Sequence, residues 1–273
     1  MVRKLFKHEF IAYIRALLPM YVVLLGIAAL TRFVVFFESD SAVYNIVIWS
    51  SIIALVIASI VCLVLSFLNV VTRYYKNMFT HEGYLTLTLP VTSAQHIWVK
   101  VTAGVVSILA GFVMIVLAVC VATAGELNIE LFKALFYLLN DAQDLFEGHF
   151  IPYLIEIMIL FLVALFSGTL LFYACISIGQ LSNKNRIAAA IGVFFAYYFV
   201  TQILSTVFMI VLQMIRGNLY FIQFLDSVRE FLSLDLFWSL HLFWWFAIIF
   251  TALLGLLYFS VSHFILKKKL NLE

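Results

Sequence analysis

The sequence predicts an all-α polytopic membrane protein with six transmembrane helices, on three observations. Of its 273 residues, 66% are hydrophobic and 11% charged, and the mean hydropathy is +1.14. A soluble globule must still cover its outside with polar groups, and this chain has too few. Six apolar stretches each reach the roughly 20 helical residues that cross a hydrocarbon core of about 30 Å. Lysine and arginine gather on alternate connections between them, as the positive-inside rule requires of alternating loops.

The elements follow in order. In residues 1–16, Phe6, Phe10, Tyr13, Ile14 and Leu17 recur at helical spacing, while Lys4, Lys7, His8 and Arg15 fall mainly on the other face. This basic, aromatic pattern predicts an amphipathic helix lying on the inner leaflet. Pro19 is expected to break the regular hydrogen-bonding pattern where the chain must turn into the membrane. The stretch is too long and lacks the small-residue cleavage motif of a signal peptide. The six spans are expected at Leu17–Phe37, Val43–Val71, Val101–Ala124, Ile151–Ile178, Ala188–Ile215 and Trp238–Leu266, together a bundle over 17–266. Several are long enough to tilt or to continue as helix beyond the lipid.

Three other segments interrupt the spans. Residues 125–150 carry a leucine stripe (Leu127, Leu131, Leu135, Leu138, Leu139) opposite Glu126, Glu130, Lys133, Asn140, Asp141 and Asp144, which predicts an interfacial helix or broken helix outside. Residues 216–237 mix Phe, Leu and Tyr with Asp226, Arg229, Glu230 and Asp235, and read as a re-entrant or interfacial segment. Residues 267–273 form a basic cytoplasmic tail. Small residues at four-residue spacing (Ala103, Ser107, Gly111; Ala164, Gly168; Ala188, Gly192, Ala196) predict close helix packing in three spans.

Charge orients the bundle. With both termini inside, 12 of the 16 Lys and Arg lie on the cytoplasmic side, with only Glu9, Glu82 and Glu273 of the 14 acids. This predicts an N-in, C-in topology. The net charge of +2 makes no case for nucleic acid. The expected environment is a lipid bilayer. Cys62, Cys120 and Cys175 all fall in spans, where they read as small buried hydrophobes.

Much chemistry is missing. No G-x-x-x-x-G-K-[ST] occurs, so no P-loop of its own hydrolyses a nucleotide. His81-Glu82 lacks the second histidine of a zinc protease, because position 85 is Leu, and no two of the six histidines stand at ligand spacing on a helix. Catalytic residues, bound metal and bound cofactors are therefore not expected. Ionisable residues within the spans come down to Arg32 and Glu156, each near an outer end. Reaching the headgroups is one reading of these two; a cavity-lining or mutually paired role is the other.

The connection within 72–100 carries the most information. Gly83 permits a backbone reversal, Pro90 punctuates before a new helix, and Thr92-x-x-Gln95 has the form of a capping box. Tyr84 to Val91 alternates apolar and polar residues, so an extended stretch fits, and so does a short helix followed by one. Either exposes aromatics and leucines as a docking site would.

At these residues the chain resembles a family. Glu82-Gly83-Tyr84-Leu85, followed by Thr88-Leu89-Pro90 and a lysine shortly after, is similar to the permease subunits of type-2 ATP-binding-cassette exporters of Gram-positive bacteria. The sequence resemblance covers about 25 residues; the order of elements matches along the whole chain. It implies a bacterial plasma-membrane permease that pairs with a second permease half, identical or related, and with separate cytoplasmic ATPases that bind ATP and Mg. The coupling element would comprise Thr80, His81, Glu82, Gly83, Tyr84, Leu85, Thr88, Leu89 and Pro90. Ser182, Asn183, Lys184 and Arg186 would make a second cytoplasmic contact. The cargo expected from an apolar, aromatic bundle is amphipathic: a peptide or antimicrobial, a drug, or a lipid-like molecule. The alternatives are a sensor or scaffold that docks an ATPase without transport, and a secondary carrier or channel.

Overall fold

A computed structural model describes residues 2–37, 41–80, 91–182, 185–216 and 236–268, together with Gln223 and Ser227. These residues form seven helices and no strand: α1 Val2–Phe36, α2 Ala42–Phe79, α3 Ser93–Ala122, α4 Glu126–Leu145, α5 Phe150–Gly179, α6 Arg186–Arg216 and α7 Leu236–Lys268. All but α4 are long and apolar enough to cross a membrane. Their outward faces carry large bare hydrophobes such as Phe33, Trp49, Phe199 and Phe246. Water would not tolerate that surface, but hydrocarbon does. The protein is an all-helical, multi-pass membrane protein. It divides into two compact units, Met1–Asp141 and Ala142–Asn271.

In the first unit α1 packs along α3 and α2. Leu24, Ala28, Leu55, Cys62, Ala118 and Ala122 form its apolar centre. The caps set the helix starts. Ser41 Oγ accepts from Tyr44 N at 3.2 Å to open α2. Thr92 Oγ1 accepts from Gln95 N, and Gln95 Oε1 from Thr92 N, so the expected capping box opens α3.

The break expected at Pro19 is not there. Pro19 lies inside α1, which runs on as one helix. Its buried residues Glu9, Tyr13, Leu17, Leu24, Ala28 and Thr31 make a continuous stripe. Packing along two neighbours offsets the single backbone hydrogen bond that proline forfeits, as tertiary contacts often override local propensity. Gly125 (φ 112°) then turns the chain into α4, the conformation that favours glycine. Residues 126–145 form one unbroken helix, in which Leu131, Leu135, Leu138 and Leu139 and the charged Glu130, Lys133, Asp141 and Asp144 are alike exposed.

In the second unit α5 packs along α7 and, at its other end, against α6. Glu147 (φ 49°) and Gly148 (φ 86°) reverse the chain before α5. Gln143 braces that reversal, donating from Nε2 to Gly148 O at 2.7 Å and accepting Ile151 N at 3.1 Å. Only the first of the three small-residue rows packs as expected. Ala103 and Ser107 are buried, and Gly111 faces Ser66 Oγ. A Cβ on Gly168 or Gly192 would meet nothing within 4 Å, and Ala164, Ala188 and Ala196 are exposed. The close approaches fall elsewhere, at Gly104 against Val70 and Gly179 against Ala190. Small size permits close contact, but which face meets a neighbour is decided by the whole bundle. The three cysteines are free.

Candidate functional site

The 72–100 connection is framed by the last turns of α2 and the first turns of α3. Thr80 is the C-cap of α2, in extended conformation. His81, Glu82, Gly83, Tyr84, Leu85, Thr88, Leu89 and Pro90 lie outside the described residues, as do Asn183 and Lys184 of the second contact. Of the latter, Ser182 N donates to Gly179 O at 3.1 Å just past the end of α5, and Arg186 opens α6 with its side chain exposed. In 216–237, Arg216 closes α6 and Leu236 opens α7; 217–222, 224–226 and 228–235 lie outside the described residues, as does the tail from 269.

Where the two flanking helices meet α1, the structure holds a buried ionic cluster. Glu9 is 5% exposed and Lys100 2%. Glu9 Oε2 accepts Arg73 Nε at 2.9 Å, and Oε1 accepts Asn77 Nδ2 at 3.3 Å and also the Lys100 ammonium. The Arg73 guanidinium lies over the Tyr13 ring, 5.2 Å from its centroid, a cation–π contact. One turn before Lys100, His96 is 1% exposed, and neither ring nitrogen has a hydrogen-bond partner among the described residues. Thus α1 supplies one carboxylate, α2 an arginine and an amide, and α3 a lysine. Buried charges are costly unless paired and hydrogen-bonded, so these contacts tie α1 to the last turns of α2 and the first turns of α3. Beside the cluster, an open groove of about 400 Å³ is lined by His8, Ile11, Ala12, Arg15, Ala16 and Arg73.

Sequence reasoning missed this cluster. Its signal was an acid in register with apolar neighbours: Glu9, Tyr13 and Leu17 stand at four-residue spacing. An acid on the buried stripe of a helix asks for a cation, but not for which one.

The two ionisable candidates from the spans, Arg32 and Glu156, belong to different units. Arg32 lies beside Gly125, its Nη2 3.1 Å from where a Cβ would be. Glu156 is buried and its Oε1 is 2.9 Å from His241 Nδ1 on α7. His241 Nε2 is in turn 3.0 Å from His149 Nδ1. Neither histidine was singled out from sequence, because 92 residues separate them and no local spacing links them. Among the described residues, no group of three or more His, Cys, Asp or Glu is arranged to hold a metal ion.

Fold and site define a multi-pass helical membrane protein with a buried ionic junction at one end of its first unit. Compared with models of protein families, with curated proteins and with solved structures, the chain matches none.

Proposed function

We propose that this chain is the transmembrane permease subunit of an ATP-driven exporter of the ATP-binding-cassette class, N-in and C-in in a bacterial plasma membrane. It works with a second permease half and with separate ATPases that carry ATP and Mg. Its cargo is amphipathic, with a peptide or antimicrobial the preferred candidate. Two things support this reading: the resemblance at Glu82–Leu85 and Thr88–Pro90, and the Glu9–Arg73–Asn77–Lys100 junction. The junction is the observation that carries most weight. A flexible loop between two spans would absorb a push from a docked ATPase. A turn whose flanking helices are both bonded to α1 passes that push into three helices at once, the rigid-body route by which packed elements switch.

The deciding experiment is extraction in mild detergent. A separate polypeptide bearing G-x-x-x-x-G-K-[ST] is expected to co-purify, and reconstituted ATP turnover is expected to rise with cargo. Recovery of a fully active chain without an ATPase overturns the proposal, and cargo-independent turnover identifies a docking or sensing subunit instead. Within the turn, Gly83→Val, Tyr84→Ala and Glu82→Gln are expected to lower coupled activity while leaving insertion and thermal stability nearly unchanged. Tyr84→Ala is also expected to weaken ATPase binding by about 2 kcal/mol, as for a buried interface aromatic. Misfolding of these variants, with normal transport by the inserted fraction, would show a mere hairpin.

Orientation has its own test. Cysteine at Thr88 or Ser182 is expected to react with a membrane-impermeant reagent only from the cytoplasm, and cysteine at Asp144 only from outside. External labelling of Thr88→Cys in sealed cells would reverse the topology.

A further inference from the structure

We infer that Glu156, His241 and His149 form a proton-binding relay that takes up one proton at half-buried His149 and passes it to the buried carboxyl of Glu156. This goes beyond the proposed transport role and does not depend on it. The geometry is a chain rather than a cluster. His241 uses both ring nitrogens, Nδ1 toward Glu156 Oε1 at 2.9 Å and Nε2 toward His149 Nδ1 at 3.0 Å. The two partners therefore stand on opposite sides of one imidazole and do not converge on a point as metal ligands do. His241 and Glu156 are 8% and 7% exposed, while His149 is half-buried at the end of the unit where α5 and α7 begin.

Each hydrogen bond needs one hydrogen, and the count can be followed. With Glu156 ionised, His241 donates from Nδ1 and accepts at Nε2 from His149 Nδ1–H, and the chain carries one negative charge. A proton arriving from water binds His149 Nε2. Moving the His149 Nδ1 proton to His241 Nε2, and then the His241 Nδ1 proton to Glu156 Oε1, delivers one proton inward. Only N–H and O–H bonds form and break, and both hydrogen bonds survive in every state. The three protonated forms are neutral overall, which burial favours over a net charge. A second observation marks Glu156 as the terminus. Its Oε2 is buried and has no hydrogen-bond partner among the described residues, and a bare carboxylate oxygen costs more there than the carbonyl oxygen of a protonated acid.

Among the described residues, aromatic side chains surround the relay. Tyr153 packs on His241 with ring centroids 4.3 Å apart, but its hydroxyl donates to Phe237 O at 2.8 Å. Trp238 lies 5.6 Å from His241, and Phe237 stacks on His149 at 5.3 Å and 8°. Asp144 and Glu147, in the segment leading to His149, are exposed.

The test uses the full chain in lipid vesicles, titrated by infrared difference spectroscopy and by NMR of ¹⁵N-labelled histidines. On acidification, a protonated-carboxyl band is expected to rise in a single transition shared with the signals of both histidines. Glu156→Gln is expected to remove the band. His149→Gln is expected to keep the band but slow deuterium entry into that carboxyl about tenfold or more, since a positioned proton carrier is lost. No protonated-carboxyl band at any pH at which the protein stays folded, three separate transitions, or unchanged exchange in His149→Gln would each reduce the chain to a static staple. Should a variant fail to fold, the shared midpoint in the unaltered protein still decides.

Discussion

Glu9→Gln is expected to lower the stability of the inserted protein by about 3–5 kcal/mol, the usual result of removing one partner of a buried ion pair. The loss would be read as a fall in the unfolding midpoint of the solubilised chain under denaturant or heat. The reason lies in the partners. Without the carboxylate, the Lys100 ammonium, only 2% exposed, loses its ion pair with Glu9. Arg73, whose side chain is 25% exposed, can turn toward solvent and loses less. The three single substitutions should therefore rank, with Glu9→Gln more damaging than Lys100→Met and Arg73→Gln mildest. Lys100→Met leaves Glu9 still bonded to Arg73 and Asn77. The double variant Glu9→Leu with Lys100→Met should recover much of the stability, because apolar groups of similar volume can replace a buried pair. If the proposed function holds, it should not recover cargo-stimulated ATP turnover, since the Lys100–Glu9 bond between α3 and α1 would be gone. A cost for Glu9→Gln below about 1 kcal/mol, typical of exposed pairs, would refute the junction.

Gly179→Ala is expected to destabilise the second unit by about 3 kcal/mol, at the upper end of overpacking costs. A Cβ there would stand 2.6 Å from the Cα, Cβ and N of Ala190. Two of those three atoms are backbone, so no rotamer change relieves the clash and α6 must move away from α5. Adding Ala190→Gly should rescue only in part, because it removes Cβ and leaves the other two contacts. Gly104→Ala is the useful control. Its nearest neighbours are Val70 Cγ1 at 2.7 Å and Cγ2 at 3.3 Å, side-chain rather than backbone atoms, so a small shift of one side chain relieves it and its cost should be smaller. If the proposed function holds, Gly179→Ala should also weaken ATPase association in the co-purification assay, since Ser182 follows just past the end of α5 and Arg186 opens α6. Equal stability of Gly179→Ala and the unaltered chain would show that α5 and α6 do not meet so closely.

Hydropathy, cation spacing and caps are local properties, and they were enough for the six long apolar helices, the capping box at Thr92 and Gln95, and the helix within 125–150. A span needs only about 20 apolar residues in a row, and a cap only four neighbouring residues. They were not enough to say which face of a helix finds a partner. Pro19 read locally as a break, yet α1 continues because α2 and α3 support it on both sides of the proline. Ala188, Gly192 and Ala196 read as a packing row as plainly as Ala103, Ser107 and Gly111, and only the latter is covered. The polar junctions were the least legible. Glu9 meets Arg73 and Lys100 across 64 and 91 residues of sequence, and Glu156 meets His241 across 85. A buried charge must find a counter-charge, which the sequence demands; the partner is whichever side chain the folded bundle brings within about 3 Å, and that only the tertiary structure decides.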